Sequence, residues 1–160
     1  MVISRRNLLA LMISVGVAKP ALAARAPVDM IVVFKGSRRL YLYHNGQPFK
    51  SYPIGLGWAP EGDKAFEGDG RTPEGSYYID RRNPQSNYYL SLGISYPDRN
   101  QLAAARAVGI DPGGDIFIHG GLGKRRQKGD WTAGCIAVSD QNIEEIWDLV
   151  PNGALIVIQP

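Results

Sequence analysis

Residues 116–138 read IFIHGGLGKRRQKGDWTAGCIAV, and this stretch decides both the fold and the chemistry expected of the chain. It contains the only cysteine, Cys135, and one of the two histidines, His119. Each adjoins glycine and an apolar, β-prone run, which predicts two strands that carry these side chains at their ends, joined by a basic loop. A cysteine needs a nearby base to become a nucleophilic thiolate, and His119 is the candidate base.

Residues 1–23 have the pattern of an export signal rather than of folded structure. Arg5-Arg6 form a charged start, residues 8–18 are apolar but too short to span a bilayer as a helix, and Ala21-Leu22-Ala23 is an A-x-A cleavage site. The start resembles a twin-arginine signal, with an ordinary secretion signal or an uncleaved anchor as the alternatives. We therefore expect a catalytic domain at residues 24–160, exported to the periplasm or cell envelope, with no stable membrane span after cleavage.

The excess of positive charge belongs to this signal. The chain has 18 Lys+Arg and 15 Asp+Glu, and loss of Arg5, Arg6 and Lys19 leaves 15 of each. A mature net charge near zero gives no case for nucleic-acid binding. A single cysteine cannot form an internal disulfide after export. Cys135 is therefore interpreted as a reactive thiol, with a buried, small hydrophobic side chain as the alternative.

The rest of the chain predicts one mostly β domain, a β-rich sandwich or barrel-like fold with one or two short helices. An Asn45-Gly46 turn signal predicts a hairpin, and His44 beside it is interpreted as a solvated turn residue. Helices are predicted at residues 101–108 and at 141–150, the second with Asp140 as N-cap. Residues 57–70 and 81–85 are predicted loops. Strands are predicted at residues 28–34, 39–43, 49–56, 76–80, 88–96, 116–118, 136–138 and 154–158.

Five stretches, in this order, make the chain resemble the L,D-transpeptidase catalytic domain of the YkuD family. They are RLYLYHNGQ, GDK with GDGRTPEG, LSLGISYP, GGDIFIHG and TAGCIAV. The family signature is histidine-glycine followed later by [S/T]-x-G-C, which corresponds here to His119-Gly120 and to residues 132–135. The resemblance runs from about Val28 to Ile158.

The resemblance implies a cysteine enzyme that acts on peptidoglycan stem peptides. Cys135 would be the nucleophile and His119 the general base and acid, oriented by the backbone carbonyl of Gly120. Amides around Gly134 and Cys135 would form the oxyanion hole. The thiolate would release D-alanine from a tetrapeptide stem, and an amine acceptor, in a second stem or in a wall-anchored protein, would resolve the thioester. No metal or organic cofactor is implied.

Two positions depart from the family pattern. Many members have arginine two residues after the cysteine and histidine before the glycine of the cysteine motif, where this chain has Ala137 and Ala133. Because arginine is a natural partner for a substrate carboxylate, Ala137 keeps open a hydrolase on the same scaffold. The basic stretch at residues 124–128 is where a compensating cation is expected, with a solvated loop face as the alternative.

Thr132, Arg71 and Trp131 are the remaining candidates for oxyanion or substrate contacts. Thr132 is interpreted either as a hydrogen-bond partner near the thiol or as a plain strand residue. Arg71 is interpreted either as a partner for a stem carboxylate or as a brace for its own loop. Trp131 is a candidate pocket wall, whereas Trp147 is predicted to lie in the core.

Four further residues have both a functional and a structural interpretation. Asp130 and Asp115 are candidates to orient His119, although turn chemistry explains both. Tyr88 and Tyr89 are candidates to line a groove or to pack across strands.

Two rival functions remain open, a non-catalytic peptidoglycan-binding module and a redox role in which the cysteine pairs with another protein.

Overall fold

The computed structural model describes residues 28–124 and 128–160, so the predicted export signal at residues 1–23 and part of the basic loop lie outside the described residues. Two helices are present in the described residues, α1 at Arg99–Ala107 and α2 at Asp140–Leu149. The strands are β1 Met30–Phe34, β2 Arg39–His44, β3 Gln47–Pro53, β4 Gly75–Ser86, β5 Tyr89–Ile94, β6 Phe117–His119, β7 Ile136–Ala137 and β8 Leu155–Gln159. The predicted mostly β domain with short helices is confirmed.

The strands form one sheet whose two ends are joined. The strand order is β3-β2-β1-β8-β4-β5-β6-β7. Among these described strands, β1 pairs in parallel with β8 and β6 in parallel with β7, and the other neighbours are antiparallel. Beyond β3, Gly55 exchanges two backbone hydrogen bonds of 2.8 Å with Ala137 of β7. Gly57 forms a second bridge to Thr132. The two outermost strands are thereby linked, so the sheet closes into a barrel-like shell around its core.

The core follows from alternation along the strands and from the spacing of apolar residues in α2. Leu40 and Leu42 of the hairpin strand β2 are fully buried, while the tyrosines between and after them face outward. In α2, Ile143, Ile146 and Leu149 lie on one face and cover β5 and β6. Burial of each such side chain contributes about 1.5–3 kcal/mol. This packing fixes the strand that carries His119.

Two predictions about the elements were wrong. Residues 81–85 were predicted to be loop because they are polar, but they continue β4 and pair with β5 through a register shift between Ile79 and Arg81. This arm of the sheet faces solvent, so its strand needs few apolar residues. The N-cap of α2 is Ser139, whose hydroxyl accepts from the Asn142 N–H, and Asp140 is the first helical residue. Either side chain can cap a helix, so the sequence alone did not fix the start.

The loop between β3 and β4 is organised by a buried ion pair. Lys64 Nζ donates to Asp69 Oδ1 at 2.8 Å, and both side chains are almost completely buried. The Asp69 carboxylate also accepts from the N–H groups of Ala65, Phe66 and Arg71. Burial alone would raise the pKa of Asp69, but these donors together lower it from 3.8 to about 2. The carboxylate therefore fixes the conformation of the loop that leads to Arg71.

We predict that Asp69→Asn lowers the free energy of unfolding by about 2 kcal/mol at pH 7, as expected for a carboxyl whose pKa is this far below its unfolded value. The contribution is complete above pH 4 and is lost as the pH falls towards 2, so the two proteins converge there. Urea unfolding at pH 7 and at pH 3 measures this. Asp98→Asn, which retains an N-capping side chain on α1, is the control. A constant difference at all pH values contradicts the role of the charge.

Candidate active site

Cys135 and His119 lie on neighbouring parallel strands. In the register of β6 and β7, His119 is opposite Ala137 and Ile118 is opposite Ile136. Continued by one residue, the register places Cys135 beside Phe117, whose backbone N–H hydrogen-bonds the thiol. Side chains two positions apart on a strand share a face, so the thiol and the imidazole project from the same side of the sheet.

The His119 ring is held by a backbone carbonyl. Nδ1 lies 2.6 Å from the Gly120 carbonyl oxygen, and the residue is only 2% exposed. A carbonyl can only accept, so Nδ1 carries the hydrogen and Nε2 of the neutral ring is an acceptor. Burial lowers the pKa of His119, while the Gly120 contact acts in the opposite direction. The ring is therefore neutral at pH 7 and able to receive a proton at Nε2.

Two aromatic side chains enclose the imidazole. The Tyr88 ring is stacked on His119 with a centroid distance of 4.6 Å, and Trp131 meets the same ring edge-on at 5.7 Å. Tyr88 is delivered by the tight turn between β4 and β5, where Tyr89 has a positive φ of 78°. Such a φ is unusual for a bulky residue, and the Tyr89 hydroxyl is tied to Glu144 of α2. The turn thus holds Tyr88 in place as one wall of the site.

The Cys135 thiol is half-buried and favours its neutral form. Sγ lies 3.5 Å from the Asp115 carbonyl oxygen, which accepts the thiol hydrogen. Burial raises the pKa of Cys135, the Phe117 N–H lowers it, and the Asp115 carboxylate raises it again. Lys64 and Arg81 are the cations that act to lower it. Because burial is the largest cause, formation of the thiolate requires a base.

Thr132 braces the cysteine loop from inside. Its hydroxyl donates to the Cys135 carbonyl oxygen at 2.7 Å and accepts from the Gly134 N–H at 3.1 Å. Gly134 has a φ of 134°, and a Cβ at this position would lie 2.7 Å from the Arg71 carbonyl oxygen. Only glycine fits this conformation without strain. The Gly134 N–H is already bonded to Thr132, so of the two amides considered in the sequence analysis it is the less available to a ligand.

The remaining predicted residues are distributed differently from the sequence expectation. The guanidinium of Arg71 donates to the Asp63 carbonyl oxygen, so the side chain braces its own loop and only its backbone borders Gly134. The Asp130 carboxylate binds Arg38 and the Leu56 N–H. Asp130 therefore anchors a turn, as its structural interpretation predicted.

Ala137 and the basic stretch also have structural contacts. Ala137 is fully buried in its bridge with Gly55. Lys124 pairs with Asp140 at 2.6 Å and Lys128 is exposed, while Arg125 and Arg126 lie outside the described residues. The cations that influence the thiol are thus Lys64 and Arg81, which the sequence did not single out. A buried lysine in a Gly-rich loop and an arginine in a polar strand give no distinctive sequence signal.

Trp131 has a donor without a partner. Its Nε1–H is buried and has no hydrogen-bond acceptor within the part of the chain that the structure describes.

Within the described residues, no group of three or more His, Cys, Asp and Glu side chains could hold a metal ion. No helix in residues 28–124 or 128–160 is long and apolar enough to cross a membrane.

Comparison with known proteins gives consistent matches over this domain. The YkuD family model, described as an L,D-transpeptidase catalytic domain, matches residues 29–158. The Escherichia coli (strain K12) protein named "Putative L,D-transpeptidase YafK" is 35% identical over 136 residues, 81% of this chain and 50% of that protein. This chain thus spans about half the length of the curated relatives it matches.

Solved structures share the architecture. The helical cell shape determining protein Pgp2 from Campylobacter jejuni superposes with a TM-score of 0.64 at 28% identity, covering 82% of this chain and 47% of that one. An L,D-transpeptidase from Mycobacterium smegmatis superposes with a TM-score of 0.54 at 13% identity, covering 82% of this chain and 58% of that one. The second likeness concerns the fold alone.

We predict that His119 titrates with a midpoint below 6.5 in the folded protein, because burial disfavours the imidazolium. Its contribution to stability is then complete above pH 6.5 and is lost as the pH falls below that value. Nitrogen-resolved NMR titration measures the midpoint, and His44→Gln, which leaves a single histidine, assigns the resonance. The same spectra are expected to show the hydrogen on Nδ1. A midpoint at or above 6.5, or a hydrogen on Nε2, contradicts the geometry described above.

Proposed function

The chain belongs to the YkuD family of L,D-transpeptidase catalytic domains, and we propose that it is a cysteine L,D-transpeptidase acting on peptidoglycan tetrapeptide stems. One observation carries the proposal. The His119 ring is fixed by Gly120 with Nε2 free of the ring hydrogen, on the strand beside the one that Cys135 precedes. A neutral histidine on the same face of the sheet as a neutral thiol can remove the thiol proton and so form the thiolate during the reaction.

Acylation follows from these groups. His119 Nε2 takes the proton from Cys135 Sγ, and the thiolate attacks the carbonyl between the third stem residue and the terminal D-alanine. The Cys135 N–H stabilises the oxyanion of the tetrahedral intermediate, while Thr132 and Gly134 hold that amide in position. The intermediate collapses as the imidazolium gives its proton to the departing D-alanine amine. A thioester on Cys135 remains.

Deacylation reverses the proton transfers. His119 removes a proton from an acceptor amine, which attacks the thioester and expels the thiolate. The acceptor is the side-chain amine of a second stem, giving a 3-3 cross-link, or an amine of a protein that becomes attached to the wall. Trp131, whose ring meets the His119 imidazole edge-on, is the proposed wall of the pocket that receives the stem. The proposal includes a location in the cell envelope, where peptidoglycan stems are found, and the export signal expected at residues 1–23 would supply the route there.

A second function, hydrolysis of stem peptides or release of a wall-anchored protein, is favoured by one observation. Ala137 is buried in the bridge that closes the sheet, so no cation projects from this position towards a substrate carboxylate. A site without that charge holds an incoming stem less firmly, and water then competes better for the thioester. The reaction products distinguish the two functions: transfer to an amine gives a cross-linked dimer, whereas hydrolysis gives a trimmed stem.

The test is to incubate the domain with purified disaccharide-tetrapeptide and to record intact protein mass and muropeptide products together. We expect a thioester on Cys135 with release of D-alanine, followed by a cross-linked dimer. Cys135→Ala abolishes both, and His119→Ala reduces acylation at least about 100-fold, within the range for a general base. If the Cys135→Ser protein still binds stems but forms no product, the chain acts as an enzyme and not only as a binding module.

A trimmed monomer in place of the dimer assigns the protein to the hydrolases. The proposal is overturned if neither the thioester nor any product forms with folded wild-type protein over a range of stem lengths. A mixed disulfide at Cys135 in extracts, in place of acylation, would instead support the redox alternative.

A further inference from the structure

We propose that Asp140 is a positioning residue for the catalytic base, acting on His119 through the peptide group that joins Gly120 to Gly121. This inference rests on the proposed function, because it assigns His119 the role of base. Asp140 was interpreted from the sequence as a helix cap, and that role belongs to Ser139. The carboxylate of Asp140 is directed instead at the turn that follows His119.

One amide unit connects the two side chains. The Gly121 N–H donates to Asp140 Oδ1 at 2.8 Å, and the Gly120 carbonyl accepts from His119 Nδ1 at 2.6 Å. The Gly120 carbonyl and the Gly121 N–H are the two ends of the same peptide group. The order is therefore carboxylate, peptide, imidazole. In the Ser-His-Asp triad of hydrolytic enzymes the carboxylate bonds the histidine directly. Here one peptide group lies between the carboxylate and the histidine.

The chemistry of the amide makes this link directional. A negative charge at the N–H end draws electron density away from that hydrogen and increases the negative charge on the carbonyl oxygen, because hydrogen bonds in a chain polarise one another. The carbonyl then becomes a better acceptor for Nδ1–H. When Nε2 takes the thiol proton, the ring becomes positive and its Nδ1–H bond strengthens. Asp140 therefore favours the imidazolium that forms during the reaction.

The surroundings leave this peptide no other orientation. A Cβ on Gly120 would lie 2.7 Å from Asp140 Oδ1 and 2.8 Å from the Tyr88 carbonyl oxygen. The Gly120 N–H donates to the Leu90 carbonyl oxygen at 3.3 Å. Gly121 has a φ of 98°, a conformation suited to glycine. The double glycine is thus required for the carboxylate to approach the amide closely.

Asp140 is held in place by its position in α2 and by its partners. It is the first residue of α2, where a negative charge interacts favourably with the helix dipole. Its second oxygen, Oδ2, accepts from Lys124 Nζ at 2.6 Å, and its side chain is 33% exposed. Among the described residues, the Tyr89 hydroxyl interacts electrostatically with Asp140 and is hydrogen-bonded to Glu144. Around His119 itself lie the rings of Tyr88 and Trp131.

Four variants separate charge from geometry. Asp140→Asn retains an oxygen that can accept from the Gly121 N–H but removes the charge, whereas Asp140→Ala removes both. Lys124→Ala removes the partner of Oδ2 and leaves the Gly121 bond intact. Asp148→Asn changes an exposed carboxylate at the other end of α2 and is the matched control for helix charge. Thermal unfolding of each variant monitors the fold.

The first readout is the rate of Cys135 alkylation by iodoacetamide between pH 5 and pH 10. At pH 6–7 the species that reacts with iodoacetamide is the thiolate paired with the His119 imidazolium. A charge-assisted hydrogen bond is roughly twice as strong as a neutral one, so loss of the Asp140 charge in Asp140→Asn lowers the alkylation rate about fivefold. We expect a fall of about 10- to 100-fold for Ala, whose base is also displaced. Towards pH 10 the rates converge, because hydroxide then deprotonates the thiol without His119. Asp148→Asn stays within about twofold of wild type at every pH. Lys124→Ala removes a cation that opposes the Asp140 charge, so it does not lower the rate.

The second readout is the NMR resonance of His119 Nδ1–H, which needs no substrate. Asp140→Asn and Asp140→Ala are expected to shift it upfield, in that order of size, and the two controls are not. Equal effects of Asp140→Asn and Asp148→Asn, or an alkylation rate lowered in parallel at pH 7 and pH 10, would overturn the proposal and leave Asp140 as a fold residue. If the wild-type domain lacks activity on stem peptides, the proposed function fails while both readouts still test the link between Asp140 and His119.

Discussion

The backbone pairing of Gly55 with Ala137 is the constraint on which the rest of the structure depends. Two hydrogen bonds join the end of the first hairpin to the strand that follows the cysteine, and without them the sheet has two open edges. The contact is possible only because of glycine. A Cβ at Gly55 would lie 2.2 Å from the Gly129 carbonyl oxygen, and one at Gly57 would lie 2.0 Å from that of Gly70. The segment that closes the shell is also the one that supports the cysteine loop.

The site is assembled from groups that are uncharged at rest. Burial favours the neutral forms of Cys135 and His119, and the hydrogen bonds of Thr132 and Gly120 fix the geometry around both. Charge therefore develops only when the proton moves, in a partly desolvated site where fixed dipoles act strongly. The Asp140 carboxylate, one peptide group away, supplies a fixed counter-charge without placing an anion next to the thiol. A carboxylate in direct contact would oppose formation of a thiolate.

Much of this arrangement could be predicted from local sequence, because local chemistry determines it. Alternation predicted β2, the Asn45-Gly46 turn predicted its hairpin, and the apolar spacing of α2 predicted the buried face of that helix. The contact between His119 and the Gly120 carbonyl, implied by the family resemblance, is present in the structure. The catalytic roles of Cys135 and His119 remain a prediction, for which the geometry provides support and the acylation experiment the test.

The parts that could not be predicted depend on pairing between distant segments. Nothing in the local sequence shows that Tyr88 stacks on an imidazole 31 positions later or that Arg81 and Lys64 influence one thiol, because a sheet register and a loop closure bring them together. The polar residues 81–85 were misassigned for the same reason, since strand pairing outweighed low apolar content. The role of Arg71 as a brace follows from the conformation of its loop, which the buried Asp69 determines.

The raised pKa of Cys135 has a consequence for the chemical stability of the thiol. Peroxides and disulfides attack the thiolate and react only slowly with a protonated thiol. A cysteine that rests mainly as the protonated thiol, and becomes a thiolate when His119 accepts its proton, is chemically quiet between turnovers. The same burial that makes the nucleophile dependent on its base thus protects it against sulfenic acid formation, a damage for which a chain with one cysteine has no internal resolving thiol.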